Sequence, residues 1–173
     1  MQTKDKDQDF RADWLFKKED IEEGWAPDCD DAQWQSVTIP HCWNIEDMSP
    51  GQPRQEAYVG PAWYRKHFAL SKDTNRRYLL LFEAVANFSE VWVDGCFVGG
   101  YDGGFLDFRL DITDALSDAE QHVVAVRADN SFRVGKMPPE LLDWERYGGI
   151  YRPVWLIERS RAYIDHQSIR IET

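Results

Sequence analysis

Ser89-Glu90-Val91-Trp92-Val93-Asp94-Gly95-Cys96-Phe97-Val98 reads as two strands and a tight turn. Its first half alternates as a half-buried strand does, Asp94-Gly95 is the strongest short hairpin signal available, and Cys96-Phe97-Val98 is the returning strand. Upstream, Arg76 to Ala84 is a continuous apolar strand. Before it, Trp63, Arg65, His67 and Ala69 oppose Tyr64, Lys66, Phe68 and Leu70, and neither parity is cleanly apolar. Ser36 to Pro40 is a short strand stopped by proline. Downstream, Gly103-Gly104 is a turn leading into Phe108-Arg109-Leu110. Asp111 to Leu116 has the capping and apolar spacing of a single helical turn, and His122 to Ala128 alternates again. Val154 to Ile157 and Ile164 to Ile171 complete a set of about eight short strands with Gly-rich turns and almost no helix. The expected fold is an all-β antiparallel sandwich, most simply a jelly roll. Trp63, Trp92 and Trp155, lying within strands, are expected in its core.

At 173 residues the chain fits one domain of ordinary size. A net charge of -11 argues against nucleic acid as a partner, because tracking phosphates needs clustered Lys and Arg. No apolar run approaches the length of a bilayer span, so no membrane partner is expected. Cys29, Cys42 and Cys96 are odd in number and widely separated, and His41, His67, His122 and His166 show no ligand spacing. Buried free thiols, no structural metal and no cofactor are the expectation. Met1 to Asp9 is almost wholly polar and is expected to fray, because ordering it buries too little to offset the entropy lost.

One segment interrupts the β pattern. Asn130 to Arg152 is long and irregular, and its second half, Asp143-Trp144-Glu145-Arg146-Tyr147-Gly148-Gly149-Ile150-Tyr151-Arg152, crowds aromatics and charges around two adjacent glycines. Compact domains usually keep such loops for function. Adjacent glycines permit conformations and close approaches that a Cβ forbids. From composition alone, a packed crossover loop holding one buried salt bridge is an equal reading.

Trp14-x-Phe16, Pro40-His41-x-Trp43, Gly60-x-x-Trp63-Tyr64-Arg65-Lys66-x-Phe68, Phe82-Glu83, Val91-Trp92-Val93-Asp94-Gly95, Gly103-Gly104 with Phe108, Asp111-Ile112-Thr113 and Gly149-Ile150-Tyr151-Arg152 follow one another in order. This succession resembles the N-terminal sugar-binding domain of glycoside hydrolase family 2, the β-galactosidase and β-glucuronidase family, over residues 10 to 158. The resemblance implies a galactose-binding-like jelly roll over 10–159. It implies a linker and first strand of an immunoglobulin-like domain over 160–173, and beyond that a catalytic barrel as the domain's partner.

It further implies that Asp143, placed six residues before Gly149, reaches the terminal pyranoside of a β-glycoside. An ionised carboxylate accepts hydrogen bonds from neighbouring hydroxyls, each worth roughly 1.5 to 3 kcal/mol. Asn87, one place later than the family's Asn, is a second candidate substrate contact, and Trp144 a third by stacking, with packing against neighbouring domains an equal reading for that ring. The usual Asp after Pro-His is Cys42 here. Arg152 is expected to anchor a buried ion pair.

On this reading the chain alone is not catalytic. A parent glycosidase would hydrolyse O-glycosyl bonds with retention, using two carboxylates about 5 to 5.5 Å apart in the barrel. An independent carbohydrate-binding module is the alternative, and the encoding gene discriminates: a reading frame continuing past Thr173 supports the enzyme. A bacterial periplasmic or extracellular parent fits the acidic composition, while free cysteines pull toward the cytoplasm.

Overall fold

The computed structural model describes residues 6–45, 58–136 and 147–163. Its ten strands are β1 (Lys6–Asp9), β2 (Trp14–Lys17), β3 (Gln35–Val37), β4 (Pro61–Ala69), β5 (Arg76–Phe82), β6 (Phe88–Val93), β7 (Cys96–Asp102), β8 (Phe108–Asp111), β9 (Gln121–Asp129) and β10 (Val154–Ser160). They form two antiparallel sheets, a four-stranded one in the order β1-β10-β5-β8 and a six-stranded one in the order β3-β2-β4-β9-β6-β7. The all-β sandwich expected from the sequence is the fold found.

The β6–β7 hairpin forms where Asp94-Gly95 places it. Asp94 has φ 48° and Gly95 φ 80°, the paired left-handed conformations that match a two-residue turn to the twist of its strands. Between the sheets lie Trp14, Phe16, Tyr64, Leu80, Phe82, Val91, Val126 and Leu156. Burial of each large apolar side chain contributes roughly 1.5 to 3 kcal/mol. Phe82 and Tyr101 each stack on Phe108, with ring centroids 5.1 Å away. The turn after β8 closes as expected: Asp111 Oδ1 accepts from Thr113 N at 3.0 Å, and Leu116 N donates to Ile112 O at 3.1 Å.

β4 is buried on both faces, which explains why neither parity is apolar. Residues 18–34 cross the outer face of the six-stranded sheet, and the wholly buried Arg65 holds them there. Its Nε lies 2.6 Å from Asp31 Oδ2, and its Nη1 donates to the carbonyls of Gly24 and Ala26 at 2.7 and 2.9 Å. Trp34, Trp63 and Ala125 form a small second core beneath this cover.

Four expectations need correction. The polar start does not fray throughout, since Lys6–Asp9 pairs with β10 as an edge strand. Backbone hydrogen bonds and an ion pair of Asp7 with Arg159 at 2.5 Å hold it, and apolar periodicity registers neither. Trp63 is buried, but Trp92 and Trp155 are half-buried. Trp155 turns its indole N–H to Glu83 Oε1 at 2.8 Å. Cys96 is exposed and the other two thiols half-buried. Arg152 is exposed over the Tyr151 ring at 5.6 Å, not in a buried ion pair. The strand expected over Ile164 to Ile171 lies outside the described residues.

Candidate functional site

Four connections meet at one end of the sandwich: the stretches after β3, between β5 and β6, between β7 and β8, and between β9 and β10. Backbone hydrogen bonds knit them together. His41 N donates to Ile150 O at 2.8 Å, Trp43 N to Gly148 O at 3.1 Å, Ala86 N to Gly149 O at 3.0 Å, and Gly103 N to Asn87 O at 3.0 Å. The long β9–β10 connection thus has both of its described ends in this frame.

Its exit is Asn130, which is wholly buried. The Asn130 side chain accepts from Gly60 N at 2.9 Å and donates to Tyr58 O at 3.2 Å. Its backbone carbonyl accepts from Asn87 Nδ2 at 3.4 Å. The re-entry is the glycine pair. A Cβ on Gly148 would sit 2.1 Å from the Trp43 ring, and one on Gly149, where φ is 126°, would sit 2.5 Å from His41 O. Both positions therefore exclude a side chain, one by close approach and the other by conformation as well. Tyr64 lies behind them, its hydroxyl 2.8 Å from His41 Nδ1. Burial pushes this phenol well above its ordinary value, against a hydrogen bond from the Ile150 backbone.

Of the residues singled out in the sequence, Asn87 sits at this frame. It is buried, with Oδ1 2.7 Å from where a Gly104 Cβ would be, so a glycine is what lets the β7–β8 connection approach it. Tyr151 closes the same corner by donating its hydroxyl hydrogen bond to Gly104 O. Asp143 and Trp144 lie outside the described residues, between Lys136 and Tyr147. Tyr147 is half-exposed beside the glycine pair.

The frame contains residues that sequence reasoning missed. Asn130 carried no motif, and its partners are distant in the chain. Arg133 places its guanidinium 3.8 Å over the Phe88 ring, with Asp129 at 3.3 Å and Asp102 at 3.7 Å. These groups border a depression of about 300 Å³. A second depression, of about 530 Å³, lies against His41, Trp43 and Ile45. Hydrogen-bonding groups line both, while the Phe88 and Trp43 rings beside them are buried. Among the described residues, no group of three or more His, Cys, Asp or Glu could hold a metal ion.

The family described as "Glycosyl hydrolases family 2, sugar binding domain" matches residues 4–160. The chain belongs to this family. It is similar, at 34% identity over 151 residues, to a β-galactosidase of Thermoanaerobacter pseudethanolicus, covering 85% of this chain and 20% of that protein. It is similar, at 31% identity over 160 residues, to a β-glucuronidase of Formosa agariphila, covering 85% of this chain and 16% of that one. A solved structure of Bacteroides uniformis β-glucuronidase 2 superposes with a TM-score of 0.81 at 28% identity, covering 90% of this chain and 18% of that one. The family 2 sugar-binding domain described here thus spans about a fifth of the length of the relatives it matches.

Proposed function

We propose that this domain recognises substrate within a longer retaining β-glycosidase, with Asp143 accepting hydrogen bonds from the terminal pyranoside. Asn87 and Trp144 are the further substrate contacts in this reading, the first through its side-chain amide and the second through a ring face. The observation that carries this reading is the rigid frame at the loop end, where Asn130 and the Gly148-Gly149 pair fix both ends of the segment bearing Asp143. Loops positioned by a rigid scaffold are where binding groups concentrate. Membership of a sugar-binding family and likeness to galactosidases and glucuronidases supply the ligand class.

Electrostatics supports assigning the bond-breaking step to other domains. A glycosidase acid must hold its proton near neutral pH, so its pKa must be raised. The shifted carboxyl groups among the described residues move the other way. Asp20 is drawn below the ordinary value by the Arg127 guanidinium. Burial pushes Asp31 up, but hydrogen bonds from Arg65 and His67 carry it lower. Asp94 follows the same pattern, with His122 and the Val123 backbone as donors. These are structural anchors held in the charged form.

The test is an NMR amide-shift titration of the chain with galactose, glucuronate and mannose, repeated on Asp143→Ala. The reading requires no Asp143-dependent saturation below high millimolar sugar, because neighbouring domains complete the subsite. Saturable, Asp143-dependent shifts at modest concentration would overturn it in favour of a self-sufficient carbohydrate-binding module.

A further inference from the structure

We propose that the outer face of the six-stranded sheet, where β6, β7 and β9 border the 18–34 segment, is a second carbohydrate site that takes a neutral oligosaccharide. Its aromatic end lies away from the loop end, its far end reaches the depression beside Arg133, and it does not depend on Asp143.

Its floor is aromatic and held in place. Trp92 packs against Trp63 at 5.3 Å and against Phe97 at 5.4 Å, so its ring has little freedom to turn. Phe97 is 59% exposed and Trp25 36% exposed. Trp25 and its neighbour Pro27 border the β6–β7 turn: a Cβ on Gly95 would lie 3.9 Å from the Trp25 ring and 2.9 Å from Pro27. Exposed rings gathered in one patch, unlike apolar side chains scattered singly, mark an interaction surface. Flat, pre-ordered rings suit the apolar faces of pyranosides, since little side-chain entropy is lost on contact.

Polar groups beside the rings select the ligand. Arg127 donates to both carboxylate oxygens of Asp20, at 2.9 and 2.8 Å, and lies 3.5 Å from Glu90 on its other side. Asp20 also accepts from the buried Trp63 indole at 3.3 Å. The row carboxylate, guanidinium, carboxylate alternates acceptors and donors, and sugar hydroxyls are both. Each carboxylate retains lone pairs beyond those its partners use. Three acids, Asp20, Glu22 and Glu90, stand against the one Arg127 in this depression of about 440 Å³. That excess of negative charge disfavours uronate chains and phosphates, which makes the ligand neutral. A protein partner fits less well, because interface centres are depleted of charge and here charges run through the middle.

The site is longer than one ring. Glu90 and Arg127 also line the depression bordered by Asp102 and Arg133, so the two hollows form one track. From Trp92 to Phe88 along β6 it runs about 13 Å, at the usual rise per strand residue. An oligosaccharide lying along β6 contacts the rings at one end and the Arg133 cluster at the other.

The test is an NMR titration of the chain with β-1,4-linked glucotetraose, mannotetraose and xylotetraose, and with tetragalacturonate, following backbone amides and tryptophan indoles. The proposal requires saturable shifts of the Trp25 and Trp92 indoles with at least one neutral tetrasaccharide, and weaker binding of tetragalacturonate. It also requires about a tenfold loss of affinity in Trp25→Ala, the size expected for one lost ring contact. Glu90→Gln, which keeps the shape, serves as an independent variant and should weaken binding severalfold. Absence of indole shifts up to about 10 mM of every neutral sugar would overturn the proposal. So would full affinity in both variants, equal binding of tetragalacturonate, or indole shifts that follow protein concentration alone, which mark self-association. Shifts confined to Asn87, Asn130 and Tyr151 would place the ligand at the loop end, contradicting this site while leaving the proposed function standing.

Discussion

Asn87 donates its side-chain amide to the backbone carbonyl of Asn130 at 3.4 Å, tying the β5–β6 connection to the point where the long loop leaves β9. Asn130 in turn satisfies Gly60 N and Tyr58 O with its own side chain. Asn130→Ala strands Gly60 N in a buried place, while Tyr58 O keeps its bond from Asn44 Nδ2 at 3.0 Å. The expected cost is about 2 kcal/mol of folding stability, read by urea denaturation, since an unpaired buried polar group typically costs about 1 to 3 kcal/mol. A change near zero would mean that water replaces the amide and that the frame is looser than described.

Gly148→Ala tests the other end of the frame. Its Cβ would enter the Trp43 ring at 2.1 Å, and that ring is buried against Phe16 and Tyr64. Overpacking of this kind typically costs about 1 to 3 kcal/mol. The variant should lower the thermal midpoint and alter near-ultraviolet dichroism from Trp43.

The Asp94 carboxylate gathers four donors: His122 Nδ1 at 2.7 Å, Val123 N at 2.9 Å, and Ser117 N and Oγ at 3.1 and 2.9 Å. Burial pushes its pKa up, but His122, Val123 and Ser117 carry it below the ordinary 3.8. A depressed folded value means that the unfolded chain binds the proton more readily. The stabilisation is therefore complete above the unfolded pKa and is lost as pH falls from about 3.8 through the lower folded value. Denaturation midpoints measured across this window should fall with pH, and Asp94→Asn should flatten that slope.

Arg65→Met should release the cover over the outer sheet. It would leave the Gly24 carbonyl without its donor, Asp31 with His67 alone and the Ala26 carbonyl with Cys29 N alone. Removing one partner of a buried ion pair typically costs about 3 to 5 kcal/mol. Limited proteolysis within residues 18–34 should become faster than in the unmodified chain, and Trp63 fluorescence should shift toward that of a wet indole.

The sandwich was legible because its signals are local. Asp94-Gly95 specifies a turn, and alternation such as Val91 and Val93 against Trp92 specifies faces. The covered face of β4 was not, since Arg65 is buried only through partners some forty residues earlier. β1 escaped notice because its pairing is made by backbone, to which side-chain patterning is blind. At the loop end, Gly148-Gly149 announced a close approach, while the ring that it admits, Trp43, is distant in sequence. Asn130 had no local signature at all, because its role consists of bonds to Gly60, Tyr58 and Asn87.

The most direct test of substrate recognition is the kcat/KM of a longer glycosidase containing this domain, compared between the unmodified protein and Asp143→Ala. It should be measured on aryl β-galactoside and β-glucuronide. Loss of charge-assisted hydrogen bonds worth roughly 1.5 to 3 kcal/mol each should lower kcat/KM by at least about tenfold on the preferred sugar, with the fold intact by circular dichroism. An unchanged kcat/KM would contradict the account, because the loop that this frame holds would then make no contact that the reaction uses.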